Sequence, residues 1–171
     1  MARLIFFIGP GGSGKSTICR EIIKRFDNFR IIKLDDITDK HSNDEERVRN
    51  VDKIKSKIEE LEKDEDSTFY LIDVGAYSQA YVENSFWELR KDFLVCVYNS
   101  EEFCYENFCN RPGKEEFRKD KNGFIKREFG NKKRKELYKL ASIKVLTNKS
   151  IEENILEVLN FILKRFYEQK Q

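Results

Sequence analysis

Residues Gly9-Pro10-Gly11-Gly12-Ser13-Gly14-Lys15-Ser16 fill every fixed position of the pattern G-x-x-x-x-G-K-[ST]. The apolar run Leu4-Ile5-Phe6-Phe7-Ile8 precedes them, and Ile18, Ile22, Ile23 and Phe26 follow at helical spacing. Strand, glycine-rich loop and helix, in that order, is the setting in which such a loop wraps an anion. Glycines accept conformations that a Cβ forbids, so the backbone closes around phosphate with its N–H groups inward. The positive end of the following helix adds to the attraction. The loop therefore predicts that Gly9, Gly11, Gly12, Ser13, Gly14, Lys15, Ser16 and Thr17 hold the phosphates of ATP. Lys15 is placed to reach the terminal phosphates and the Ser16 hydroxyl to ligate Mg²⁺.

The rest of the chain alternates strand and helix. Arg30 to Leu34 reads as a short strand ending in Asp35-Asp36. Asn43 or Asp44 can cap a helix in which Val48, Val51, Ile54, Ile58 and Leu61 recur every three or four residues. Phe69 to Ile72 forms an apolar strand closed by Asp73, the pattern of a strand whose carboxylate orders Mg²⁺. Gln79 to Lys91 is predicted as one helix, and Phe93 to Val97 as a strand buried on both faces. Ser100 caps a helix that runs to Asn110, where Arg111-Pro112-Gly113 breaks it. Lys132 to Ala141 is a helix, Ile143 to Leu146 a fifth strand, and Ser150 the cap of a last helix with Ile151, Ile155, Val158, Leu159, Ile162 and Phe166 on its buried stripe. Such alternation implies right-handed crossovers and an α/β fold, a parallel sheet between helical layers. Acidic residues at the C-terminal ends of its strands sit where open α/β sheets bind ligands.

Length bounds the architecture to one domain, residues 1–171. The net charge of +2 argues against a general nucleic-acid binder, but it hides an asymmetry. Residues 111–135 hold eleven Lys or Arg against four Asp or Glu. This basic stretch, from Arg111 to Gly130 in particular, reads as a mobile lid over an anionic ligand, the plain alternative being a solvated basic surface. Cys19, Cys96, Cys104 and Cys109 lack C-x-x-C spacing and His41 is the lone histidine, which argues against a zinc site or disulfide framework. No apolar run approaches the ~20 residues of a membrane span, and the chain enters a strand too early for a signal peptide. The expectation is a cytoplasmic protein, a monomer or weak dimer, with no membrane partner.

In order along the chain, the glycine-rich loop, the acid-ended second strand, the Arg111-Pro112 pair and the basic helix entering the last strand resemble shikimate kinase and its relatives. That resemblance implies the three-layer P-loop NTPase fold with a five-stranded parallel sheet of order 2-3-1-4-5. It also implies transfer of the γ-phosphoryl group of ATP, with Mg²⁺, to a hydroxyl of a small carboxylic acid. The family's D-x-D falls on Lys33-Leu34-Asp35, which keeps Asp35 as the group that orients the acceptor hydroxyl and takes its proton. The metal-side acid of that motif is a lysine here, so Asp36 or Asp73 would replace it. The family's E-x-x-F-R-x-x-E resembles Glu45 to Asp52 and places the arginine for the acceptor's carboxylate at Arg49. Of the family's triple glycine only Gly75 is kept, a departure that leaves the acceptor open. Arg111 matches the arginine that steadies the γ-phosphate, while Tyr105 stands near where an adenine-facing arginine is expected. The family's R-x-P-L-Y-x-x-V-A approximates Arg134 to Ala141; Lys133 and Arg134 both align, and Arg134 is preferred because its planar fork binds carboxylate bidentately.

Lys15, Asp35 and Arg111 are thus the expected catalytic residues; Arg49, Gly75, Arg134 and Asp35 face the acceptor, and Ser16, Asp73 and Asp36 the metal. A helix cap is the plain alternative for Asp35. The alternative activities are a kinase for nucleosides, nucleotides or nucleic-acid ends, and a nucleotide-responsive binding module without transfer.

Overall fold

The apolar run at the start of the chain becomes β1 (Arg3–Ile8), and its alternation feeds two cores. Leu4, Phe6 and Ile8 point to one face of the sheet, Ile5 and Phe7 to the other. Burial on both sides is what an unbroken hydrophobic strand in a parallel sheet requires. The computed structural model describes residues 3–39 and 43–167; His41 lies outside them. Around β1 stand β2 (Phe29–Lys33), β3 (Phe69–Asp73), β4 (Leu94–Tyr98) and β5 (Ile143–Leu146), all parallel, in the order β2-β3-β1-β4-β5.

One face is covered by α2 (Asp44–Glu62), α4 (Asn84–Glu88) and α7 (Lys132–Leu140), which contribute Ile54, Ile58, Trp87 and Leu137 to the core. The other carries α1 (Lys15–Arg25) and α8 (Ile151–Phe166), through Ile18, Ile22, Ile155 and Val158. The remaining helices are α3 (Ala76–Tyr81), α5 (Glu101–Cys109) and α6 (Lys121–Glu128). A third apolar cluster joins Cys104, Tyr105 and Cys109 of α5 to Phe124 of α6 and to Phe129. Among the described residues no helix is long and apolar enough to cross a membrane. All four cysteines are buried and free.

Several elements differ from those the sequence suggests, β4 by a one-residue shift from residues 93–97 to Leu94–Tyr98 and others by more. Residues 79–91 do not form one helix: α3 begins earlier, at Ala76, and ends before Val82, whose extended backbone separates it from α4. Val82 is fully buried, and the break lets Phe86 and Trp87 also face the core. β2 stops at Lys33, and Leu34 opens a 3₁₀ turn, Leu34–Ile37, that carries Asp35 and Asp36. The basic stretch 111–130 is ordered around a 3₁₀ turn at Glu115–Lys119 and α6, which Asp120 caps by accepting the Gly123 N–H.

Register sets the functional edge. Phe7 pairs with Asp73 and Lys33 with Asp73, so the C-terminal ends of β1, β2 and β3 are level. The glycine-rich loop, the Asp35 turn and the start of α3 therefore meet at one rim of the sheet.

Candidate active site

Gly9 and Gly12 show why the loop is built from glycine. Both have left-handed φ, 139° and 78°. A Cβ on Gly9 would lie 2.0 Å from the Val97 carbonyl oxygen, and one on Gly12 2.0 Å from that of Cys104. The loop is thus pressed against β4 and α5, and side chains from distant elements brace it. Gln79 accepts the Gly9 N–H through Oε1 at 3.3 Å and donates through Nε2 to the carbonyls of Gly9 and Val74, at 3.1 and 2.6 Å. Thr147 Oγ1 donates to the Ser13 carbonyl at 2.7 Å, and Asn107 Nδ2 to that of Gly12 at 3.2 Å. Glu128 Oε2 accepts the Gly11 N–H at 2.8 Å. Motif reading does not find these four, because their polar groups answer a loop far away in the chain; their positions at loops and helix ends on the same rim are the only sequence-level hint.

Lys15 opens α1, and its ammonium donates to the carbonyls of Gly9 and Pro10 at 2.9 and 3.0 Å. Burial pushes its pKa down, against the pull of the Asp73 and Glu128 carboxylates. Ser16 Oγ donates to Asp73 Oδ2 at 2.5 Å. Asp36 lines the same cavity of about 250 Å³. A hydroxyl and two carboxylates form a hard oxygen set of the kind Mg²⁺ takes. Among the described residues no three His, Cys, Asp or Glu side chains converge on a metal-sized point. That sparse set fits an ion that fills its shell with phosphate oxygens and water rather than an all-protein cage.

Asp35 reaches this cavity from the 3₁₀ turn. Its Oδ2 accepts the Tyr77 N–H at 3.3 Å, and its Oδ1 accepts the Ser78 N–H at 3.3 Å and the Ser78 hydroxyl at 3.2 Å. The carboxylate caps α3 from another element, so the cap reading and the cavity placement both hold. Gly75 is needed there for space: an added Cβ would fall 2.1 Å from Asp35 Oδ2.

Lys33, Arg111, Lys114, Gly75 and Glu128 complete the lining of the cavity, and the Arg111 guanidinium lies 5.7 Å from the Phe108 ring centroid. Gly12, Gly14 and Thr17 face a second cavity beside it, with Arg20, Asn107, Asn110 and Pro112; Ser16, Lys33 and Arg111 belong to both. Ser13 is fully buried within the loop. Two of the acceptor-side residues stand elsewhere. Arg49 lines a separate pocket with Asp39, Glu46, Asn50 and Lys53. Arg134 is buried, donating from Nη1 to Glu128 Oε2 at 2.6 Å and from Nη2 to the Ala76 carbonyl at 3.1 Å. Tyr105 packs edge-on against Phe124 and donates its hydroxyl to the Arg118 carbonyl at 2.8 Å, which places its ring inside the third cluster.

No protein-family model matches the chain, and no curated protein matches it. Solved structures do. A gluconokinase from Sinorhizobium meliloti 1021 is similar at 15% identity, covering 99% of this chain and 98% of that chain, with a TM-score of 0.57. A shikimate kinase from Acinetobacter baumannii in complex with shikimate aligns at 17% identity over 98% and 96%, with a TM-score of 0.60. Deoxyadenosine kinase from M. mycoides with bound dATP aligns at 16% identity over 92% and 97%, also with a TM-score of 0.60. At such identities the likeness establishes the fold alone, a three-layer P-loop α/β fold with a five-stranded parallel sheet of order 2-3-1-4-5.

Proposed function

We propose that this chain, built on the P-loop kinase fold, is an ATP-dependent phosphotransferase that moves the γ-phosphoryl group to a hydroxyl of a small molecule. One observation carries the reading: Lys15, the Ser16–Asp73 pair, Asp35 and Arg111 line a single cavity at the mouth of the glycine-rich loop. In the transfer so proposed, the acceptor oxygen bonds to the γ-phosphorus and the bond from that phosphorus to the β–γ bridging oxygen breaks. ADP leaves, and the hydroxyl proton passes to Asp35. A carboxylate offers about four acceptor positions. Three on Asp35 are taken by α3, which fixes the group while leaving a place for a hydroxyl. Lys15 and Arg111 offset charge developing on the transferred group. Ser16 and Asp73, with Asp36 beside them, would hold Mg²⁺, which when bound neutralises phosphate charge. The segment 111–130, which brings Arg111, Lys114 and Glu128 to the cavity, would act as a lid that excludes the water that wastes ATP.

Two placements favour a second class of acceptor. Arg49 lines a different pocket and the Arg134 guanidinium is bonded to Glu128, so neither arginine assigned to a substrate carboxylate by resemblance offers a free guanidinium to the cavity that holds Lys15 and Asp35. A nucleoside or a nucleic-acid end needs no such pair. Measurement of ADP release with ATP, Mg²⁺ and a panel of shikimate, gluconate, nucleosides and RNA ends tests both readings. The expected result is turnover that rises with one acceptor. ATP binding without acceptor-dependent turnover would instead reduce the protein to a nucleotide-responsive binding module. A polyanionic acceptor would lose affinity steeply with salt, and a small one only slightly.

A further inference from the structure

The last residue of α6 delivers a carboxylate to the glycine-rich loop. Glu128 is only 2% exposed. Its Oε2 accepts from the Gly11 N–H at 2.8 Å and from Arg134 Nη1 at 2.6 Å, and its Oε1 accepts from Arg127 Nε at 2.8 Å. Burial works to raise the carboxyl's pKa, but the Arg134 charge, the Arg127 bond and the Gly11 N–H outweigh it and hold the pKa below its ordinary value. The group is therefore an anion at neutral pH. Through Gly11 it occupies a main-chain donor of the kind that such a loop turns toward phosphate oxygens. It also lines the cavity that holds Lys15 and Asp73. The fit around Gly11 is close: a Cβ there would lie 3.1 Å from Phe108 Cδ2 and 3.4 Å from Glu128 Oε2.

Two anions cannot share one N–H, and in a water-poor site like charges at contact repel strongly. We propose that Glu128 is an internal competitor for nucleotide phosphate, occupying the Gly11 N–H until a phosphate oxygen displaces its carboxylate. The inference rests on the reading of this loop as the ATP site. It gives the 111–130 segment a direct influence on nucleotide affinity, opposite in sign to that of its many basic residues. Among the described residues, buried Arg134 Nε has no hydrogen-bond partner, so the arginine that anchors Glu128 still has a donor in reserve.

A carboxylate that only buttresses Arg134 would support binding, so its removal would weaken nucleotide affinity; a competitor's removal must strengthen it. Isothermal titration calorimetry with ATP and with inorganic tripolyphosphate, alongside thermal melts, separates the two. Glu128→Gln keeps the shape and removes the charge, and should bind both ligands about tenfold more tightly, the worth of one charge-assisted hydrogen bond. Glu128→Asp withdraws the carboxylate from Gly11 while leaving charge near Arg134, and should tighten binding by a smaller factor. It carries the test alone if Glu128→Gln does not fold. Wild-type binding with no tightening in the folded variants overturns the competitor and leaves the ATP site standing. Absence of binding in wild type and variants alike overturns both.

Discussion

Asp35 and Gly75 are coupled by contact, and the coupling gives distinct expectations for each. Asp35→Asn removes the proposed proton acceptor and should lower kcat by about 10²–10⁴-fold, the usual worth of a positioned base, with little change in the KM for ATP. A change confined to ATP affinity would move Asp35 to the metal side. Gly75→Ala forces a Cβ to 2.1 Å from Asp35 Oδ2. The carboxylate end of a side chain can turn away where backbone could not, so kcat should fall; turning away also uncaps α3, so the melting temperature should drop by a few degrees. Lys15→Ala should lower kcat/KM by about 10²–10³-fold, the cost of one preorganised charge at the transferred group. Near-wild-type turnover would mean that the loop does not hold the triphosphate. Lys15, Ser16, Asp73 and Asp35 were legible because each sits in or beside a short motif whose spacing is itself the signal. Gln79 and Glu128 were not, since the loop atoms they meet lie 70 and 117 residues away in sequence. Arg134 was legible as a guanidinium on the right rim, but the anion it meets belongs to the chain itself.

Helix boundaries follow the same division between near and far partners. Ser150 accepts the Glu153 N–H while Glu153 returns a bond to the Ser150 N–H, a capping box readable from four residues. Asn43 caps α2 by accepting the Glu46 N–H, which decides between the two candidates there. Ser150→Ala should cost about 1 kcal/mol of stability, seen as a melting temperature lower by a few degrees, with kinetics unaffected because Ser150 lines neither cavity. The start of α3 defeats this kind of reading. Its cap is the Asp35 side chain, 42 and 43 residues earlier than the amides it accepts, so no local pattern announces a helix at Ala76. The break at Val82 is likewise tertiary, imposed by the demand that Val82, Phe86 and Trp87 all reach one core.

For the molecule as a whole, a parallel sheet between helical layers was legible from the alternation of β and α segments, while the order 2-3-1-4-5 was legible only through the resemblance to shikimate kinase. Burial of the cysteines has a consequence that composition hides. It pushes the Cys96 and Cys104 thiols up to about 11 from 9.0. In the unfolded chain the thiols ionise near 9.0, whereas the folded chain keeps its protons to about 11. Across that window the unfolded state binds fewer protons, so stability is intact below pH 9 and declines as pH rises toward 11. Denaturant melts of wild type and of the Cys96→Ala/Cys104→Ala double variant should show the variant losing less stability over the same range; parallel curves would refute the account. Thiol reagents should label the native protein slowly and all four cysteines at once on unfolding.

The ring-on-ring packing of Phe124 against Tyr105 and Phe108 welds the basic segment to α5. Peeling residues 111–130 away by themselves would wet Phe124, which is 1% exposed, at a cost of about 2–3 kcal/mol for that ring alone. A tilt that carries α5 along leaves the rings in their socket. The pivot of any such excursion then belongs at the Asn99–Ser100 corner and near Gly130, not at the Arg111-Pro112-Gly113 break where the basic stretch begins.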